Sequence, residues 1–379
     1  MKIGILTFFR NPNYGAMLQA YALWKFLEGK GHEVEFIDYD FANARRPSFL
    51  RCLISKTVSG VRTKLSRYVR YEISRFTMDY PKSRLFRSVE DLTENCPKYD
   101  FVIVGSDQMW NPLWCADSAL PLVMLDFLPS QTKRISYAVS FGVKEWSRPD
   151  RREMAGILLN KFTAVSVRER SGCEIVRMLS KREDAKCLID PTMLHVADFY
   201  RKIAEMSEGE GGGNEEPYIF SYLLDEWDDN QCLGSALAHV SNLVGINEIS
   251  TDKVPVKGLL GVLCCCLSIK AKIPLDDWLE KISKASFVFT NSFHGTVFAI
   301  LFHRPFVSLL LQGKMSGMNE RILSLLDFLE LRDLAVCADD KCALNKALSV
   351  KIDWCDVDRR LSVKRDETYE FFGECLIDR

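Results

Sequence analysis

Residues Ser286–Phe306 read SFVFTNSFHGTVFAILFHRPF. The apolar run Phe287–Thr290 predicts a strand buried on both faces, followed by the polar loop Thr290–Gly295. Val297–Phe302 then reads as an apolar helix, and a further strand opens at Pro305 and runs through Phe306–Leu310. This strand–loop–helix–strand order belongs to a parallel α/β sheet. Its ligand crevice lies at the loops that leave the carboxyl ends of the strands, where helix N-termini attract anions. His294 sits in such a loop, beside Gly295.

The start of the chain repeats the pattern. Lys2–Phe9 reads as a strand, Tyr14–Glu28 as a helix ended by Gly29 and Gly31, and Val34–Tyr39 as the next strand. Further strands are expected at Phe101–Val104, Ile135–Val139 and Ala164–Val167, and then at Tyr218–Leu224 and Leu243–Ile246. Helices fit Gln231–Ser241, Leu275–Ser283 and Asn319–Leu329. At 379 residues the chain exceeds the size of a usual single core, so two domains are expected. The resulting expectation is two Rossmann-like, doubly wound α/β domains facing a cleft, the first spanning 1–185 and the second 186–350. The segment 351–379, with its acidic and basic run Asp356–Phe372, reads as a helix returning to the first domain.

Composition narrows the function. An apolar share of 47% supports substantial cores, and a net charge of −1 gives no general reason to expect nucleic acid. The 13 cysteines are dispersed, Cys264–Cys266 are consecutive and no CxxC pair occurs, so they read as reduced thiols rather than a disulfide scaffold. His32, His195 and His239 are scattered without metal-site spacing, and no metal is expected. MKIGILTFF reads as a buried strand rather than a leader, and no other stretch has spanning length, so a cytoplasmic protein is expected.

Two segments stand apart. The mostly hydrophilic stretch Glu205–Glu216, with Gly209 and Gly211–Gly213, reads as a flexible connection. Within a helical insertion at 45–95, Arg45–Arg87 carries 12 Lys or Arg against only Glu72 and Asp79. That basic run reads either as a solvated helical face or as a surface for peripheral contact with anionic lipid or glycan carrier.

The candidate site residues follow strands. Asn13, Tyr14 and Gly15 open the first helix without a dinucleotide or P-loop glycine spacing; Asn13 suits either a helix cap or a substrate contact. Gly105, Ser106 and Asp107 follow the Phe101–Val104 strand. Asp107 suits a cap or a base for a sugar hydroxyl, and Trp110 offers an apolar face to a sugar ring. Arg168 directly follows Ala164–Val167, where a guanidinium can hold a carboxylate or phosphate through two parallel bonds. Asp190-Pro191-Thr192 suits a turn as well as a site. Asn291, Ser292 and Gly295 flank His294, whose imidazole can exchange a proton near neutral pH.

Taken in order, Asn13–Ala16 with Gln19–Leu23, Gly105–Trp110, Arg168–Ser171, Asp190–Thr192 and Thr290–Gly295 resemble the polysaccharide pyruvyl transferase family. The resemblance implies a fold like that of two-Rossmann-domain (GT-B) glycosyltransferases, with the acceptor on the first domain and the donor on the second. It also implies transfer of the enolpyruvyl unit of phosphoenolpyruvate to two hydroxyls of a sugar or lipid-linked glycan, forming a cyclic ketal and releasing phosphate, with no metal or redox cofactor. In that frame His294 and Arg168 match donor-side residues and Asp107 is the acceptor-side base. Many members carry an arginine two residues before the histidine; here that position is Ser292, and Lys314 or Arg321 is the candidate replacement cation. Two other readings stay open: a glycosyltransferase with a nucleotide-sugar donor, and a noncatalytic binder of anionic glycan.

Overall fold

The computed structural model describes residues 1–10, 13–41, 79–113, 119–205, 216–224, 230–254 and 271–376. Strands β1 (Lys2–Leu6), β2 (Glu33–Phe36), β3 (Phe101–Val104), β4 (Lys133–Val139), β5 (Ala164–Val167) and β6 (Lys186–Cys187) form one sheet, in the order β2-β1-β3-β4-β5-β6. Strands β7 (Tyr218–Tyr222), β8 (Glu248–Thr251), β11 (Phe287–Thr290), β12 (Phe306–Leu309) and β13 (Ala335–Val336) form a second, in the order β13-β12-β11-β7-β8. Every pairing within these two sheets is parallel. A short antiparallel pair, β9 (Lys253–Val254) and β10 (Ala271–Lys272), stands beside the second sheet's chain path.

The sequence of the central strands explains the layers. Phe101-Val102-Ile103-Val104 and Phe287-Val288-Phe289-Thr290 are buried at every position. Only a sheet covered by helices on both faces hides side chains that point both ways. The covering helices include α1 (Tyr14–Gly29), α2 (Arg170–Ser180), α3 (Asn230–Val244), α4 (Leu275–Lys284), α5 (Phe293–Leu301) and α6 (Glu320–Phe328). The architecture is two Rossmann-like domains, the arrangement called GT-B.

Several boundaries differ from the sequence reading, three of them with a clear cause or consequence. The strand expected at Leu243–Ile246 is instead the end of α3, which runs to Val244. Gly245, at φ 71°, closes it, with Gly245 and Ile246 N–H both donating to the Ser241 carbonyl, and the strand begins at Glu248. The helix expected from Val297 starts at Phe293, because the Ser292 hydroxyl accepts from the Gly295 N–H and caps it. The first sheet takes in Lys186–Cys187, two residues beyond the expected boundary at 185.

The final helix, α7 (Trp354–Cys375), ties the domains together. Phe372 packs 4.8 Å from Tyr137, Tyr369 stacks 5.5 Å from Phe26, and Arg365 Nε donates to the Met193 carbonyl at 2.7 Å. At its other end Trp354 stacks 5.0 Å from His303 of the second domain. Among the described residues, no helix is long and apolar enough to cross a membrane. Most of the basic insertion, the Gly209–Gly213 region and Cys264–Cys266 lie outside the described residues.

Strand order fixes where a site can form. The first sheet reverses direction of growth between β1 and β3, and the second between β11 and β7. The loops leaving β1, β3 and β11 carry Asn13–Gly15, Gly105–Asp107 and Asn291–Gly295. Ligands of open α/β sheets bind at such switch points.

Candidate active site

Asp190 is the centre of the site. It follows β6, is fully buried, and its Oδ1 accepts from the Thr192 N–H at 3.0 Å and the Thr192 hydroxyl at 2.7 Å. Its Oδ2 accepts from Arg168 Nη1 at 2.6 Å, lies 3.0 Å from the Ser106 hydroxyl and faces His294 Nε2 at 3.6 Å. Burial alone raises a carboxyl pKa, but the adjacent His294 and Arg168 outweigh it and hold Asp190 well below the usual carboxylate range. Asp190 is therefore an anion that positions the Arg168 guanidinium and the His294 imidazole and is unsuited to accept a proton.

His294 lies in the first turn of α5, not in an extended loop as the sequence suggested. The glycine beside it in sequence does not make its space. A β-carbon on Gly295 would lie 2.3 Å from Thr290 Oγ1, so Gly295 lets α5 pack against its own strand. The space for the imidazole comes from Gly15 in the other domain, where a β-carbon would lie 1.9 Å from His294 Nδ1. His294 Nε2, Arg168 Nε and Arg168 Nη2 are buried and have no hydrogen-bond partner among the described residues. The two Arg168 nitrogens are obligate donors, suited to an anion that brings its own acceptors, while His294 Nε2 faces Asp190.

The other candidates divide into two groups. Asp107 has positive φ, a side chain 17% exposed, and Oδ1 3.9 Å from Arg168 Nη2. Arg321, from α6 of the second domain, is buried; with the Gln108 amide turned so that its oxygen faces the guanidinium, Nη1 and Nη2 donate to that oxygen at 2.9 and 3.1 Å. Burial and the nearby Arg168 charge push Arg321 down to about 10, leaving it cationic at neutral pH. The Phe293 ring lies between these cations, 4.4 Å from the Arg168 guanidinium and 5.8 Å from that of Arg321.

The second group supports the site from behind. Asn13 caps α1, its Oδ1 accepting from the Gly15 and Ala16 N–H groups at 3.0 and 3.3 Å. The Tyr14 hydroxyl donates to the Ile273 carbonyl at 2.7 Å, and its ring stacks 5.0 Å from Trp278, so it fastens α1 to the second domain. Burial pushes that phenol far up, which removes it from proton chemistry. Gly105 brings its backbone against the Tyr137 carbonyl, and the Ser106 N–H donates to Gln19 Oε1 at 3.0 Å. Asn291 Oδ1 accepts from the Leu224 N–H at 2.7 Å and joins the ends of β11 and β7.

Trp110 is not a sugar platform. It is 1% exposed in the core of the first domain, and its indole N–H donates to the Val123 carbonyl at 3.0 Å. Its ring packs 5.4 Å from Phe141 and 5.5 Å from Phe162, so hydrophobic burial wins over exposure to the cleft. The side chain of Lys314 lies outside the described residues.

Sequence reasoning left three participants unassigned. Asp190 carried an ambiguous turn signal, and Phe293 was given no role within the loop Thr290–Gly295. Glu169 is buried behind Arg168 and accepts from the Ser140 hydroxyl and from the Phe141 and Gly142 N–H groups at 3.1, 2.6 and 3.0 Å. Burial raises its pKa despite Arg168. Among the described residues, no group of three or more His, Cys, Asp or Glu side chains forms a metal site.

A family model described as polysaccharide pyruvyl transferase matches residues 13–312. No curated protein matches the chain in sequence. In fold the chain is similar to a UDP-GlcNAc 2-epimerase of Methanocaldococcus jannaschii in complex with UDP-GlcNAc and UDP, with TM-score 0.49, 13% identity, and 97% of this chain and 100% of that one covered. It is similar also to Arabidopsis thaliana UGT89C1 complexed with UDP-L-rhamnose, with TM-score 0.48, 11% identity, and 98% and 95% covered. The architecture rests on the two sheets themselves.

Proposed function

Because the chain belongs to the polysaccharide pyruvyl transferase family, and is thus a transferase, we propose that it moves the enolpyruvyl unit of phosphoenolpyruvate onto two hydroxyls of a sugar or lipid-linked glycan. The product is a pyruvate ketal, and inorganic phosphate leaves. The observation that carries this reading is the convergence of His294 and Arg168 on Asp190, with two buried Arg168 donor nitrogens left without a hydrogen-bond partner among the described residues.

The chemistry distributes over these residues. The vinyl carbon must gain a proton, which places positive character on the neighbouring carbon; His294 delivers that proton. Arg168 holds the donor's carboxylate or phosphate against the charge that develops. One acceptor hydroxyl adds to the electron-poor carbon and loses its proton to Asp107, the more exposed carboxylate. The carbon–oxygen bond to phosphate then breaks, and the second hydroxyl closes the ketal. In balance, two carbon–oxygen bonds, one carbon–hydrogen bond and one phosphate O–H form, while the vinyl π bond, one carbon–oxygen bond and two hydroxyl O–H bonds break. Of the two hydroxyl protons, one ends on the methyl carbon and one on phosphate. Asp190 holds His294 and Arg168 in register, because an anion so stabilised cannot serve as the base.

The test is phosphate release from phosphoenolpyruvate across a panel of glycan precursors. Acceptor-dependent release is expected. Release of nucleoside diphosphate from a nucleotide sugar with the same acceptors, and none of phosphate from phosphoenolpyruvate, would replace this reading with glycosyl transfer.

A further inference from the structure

Beside Phe293, the two domains and α7 line a small pocket of about 70 Å³ that opens to solvent. Arg168 of the first domain and Arg321 of the second both line it, 5% and 7% exposed. Its walls are apolar, with Leu188, Ile189, Met193, Leu325 and Phe328. Asp190 is the one acid in the described lining.

The polar groups facing the two arginines are few. Arg168 meets Asp190 at 2.6 Å and Asp107 at 3.9 Å, leaving Nε and Nη2 without hydrogen-bond partners. Arg321 meets neutral acceptors, the Gln108 amide oxygen and the Met318 carbonyl. Phe293 offers both guanidiniums a π face but no lone pair. Arg170 and Lys364 also line the pocket, but Arg170 is exposed and Lys364 is paired with Glu367. Asp190 pairs directly with Arg168, whereas Arg321 is influenced by Asp107, Glu169 and Asp190 without contact to a carboxylate among the described residues, so its buried charge can still accept a directly bonded anion.

We infer that this pocket binds a small phosphate-bearing dianion that bridges Arg168 and Arg321, so that occupancy clamps the two domains together. Two forked cations suit phosphate, which has acceptors enough for both. A free sugar is a poor occupant, since its hydroxyls would face Leu188, Ile189 and Leu325 unpaired. In naming the donor's phosphoryl group as the occupant, the inference rests on the reading above; the pocket's affinity for phosphate does not.

Calorimetric titration of the full chain with inorganic phosphate, and separately with phosphoenolpyruvate, tests it on the wild type, Arg321→Met and Ser324→Glu. Ser324 is a half-buried pocket residue, so its replacement sets a carboxylate where the anion would sit. Each substitution is expected to weaken phosphate binding by about tenfold or more, the loss of one charge-assisted contact. Phosphate is expected to raise the wild-type Tm and not that of either variant. Should Arg321→Met fail to fold, Ser324→Glu decides alone. Phosphate affinity unchanged in a folded variant, or no saturable phosphate binding by the wild type, overturns the inference. Wild-type binding of phosphate but not of phosphoenolpyruvate supports the pocket and removes the donor reading. Phosphoenolpyruvate binding indifferent to both substitutions keeps the donor reading and removes the clamp.

Discussion

Gly15 of the first domain and His294 of the second fit against each other with no room for a side chain between them; a β-carbon on Gly15 would lie 1.9 Å from His294 Nδ1. The helix that opens at Tyr14 and the helix that opens at Phe293 thus meet end to end across the domain boundary. The position of the imidazole is set by a residue some 280 positions away in sequence.

Gly15→Ala is expected to displace His294. Overpacking of this kind costs about 1–3 kcal/mol, and a misplaced catalytic group costs about 100-fold in rate. Comparing kcat with Tm for the variant checks both: a large fall in kcat with a modest fall in Tm is expected.

Asp190→Asn removes the anion that pairs with Arg168 and faces His294. Breaking a buried ion pair from one side costs about 3–5 kcal/mol, and urea unfolding at neutral pH should show a loss of that order. The acid limb gives the sign check. A carboxyl held low in the folded state contributes stability that is present above about pH 4, its unfolded value, and is lost as pH falls toward its folded value. Unfolding free energy of the wild type should fall on acidification below about pH 4, and Asp190→Asn should flatten that slope.

Glu169 gives the opposite sign. Its folded pKa is raised, so its contribution is favourable below the unfolded carboxyl value and lost as pH rises through the folded one. Glu169→Gln keeps the amide oxygen that its three donors need. The variant should gain in Tm relative to the wild type as pH rises from about 4 toward neutrality. A gain that shrinks over that range would contradict the assignment.

Tyr14→Phe separates fastening from substrate contact. Loss of the bond to the Ile273 carbonyl should cost about 1 kcal/mol, with KM for the donor unchanged. A raised KM at unchanged stability would return Tyr14 to the binding surface.

Much of the fold was legible because parallel strands buried on both faces are continuous apolar runs, as at Phe101–Val104 and Phe287–Thr290. The edge was not: β8 is partly exposed, and the apolar end of α3 at Leu243 and Val244 imitated a strand. Arg168 and His294 stood out in the sequence because polar residues between buried strands and apolar helices mark the crevice of a parallel sheet. Asp190 was ambiguous because its cap to Thr192 is local while its bonds to Arg168 and Ser106 are long-range. Trp110 misled because a strand-end aromatic folds into the core as readily as it faces a cleft. The pairings of Gly15 with His294 and of Phe293 with two arginines arise only when the domains meet, and no local pattern announces them.

The most direct measurement is acceptor-dependent phosphate release from phosphoenolpyruvate by the wild type and by His294→Ala, with the variant's fold verified by circular dichroism. Release by the wild type with a loss of about 100-fold or more in the folded variant is expected for a residue that supplies the proton. Undiminished release by folded His294→Ala would contradict the account.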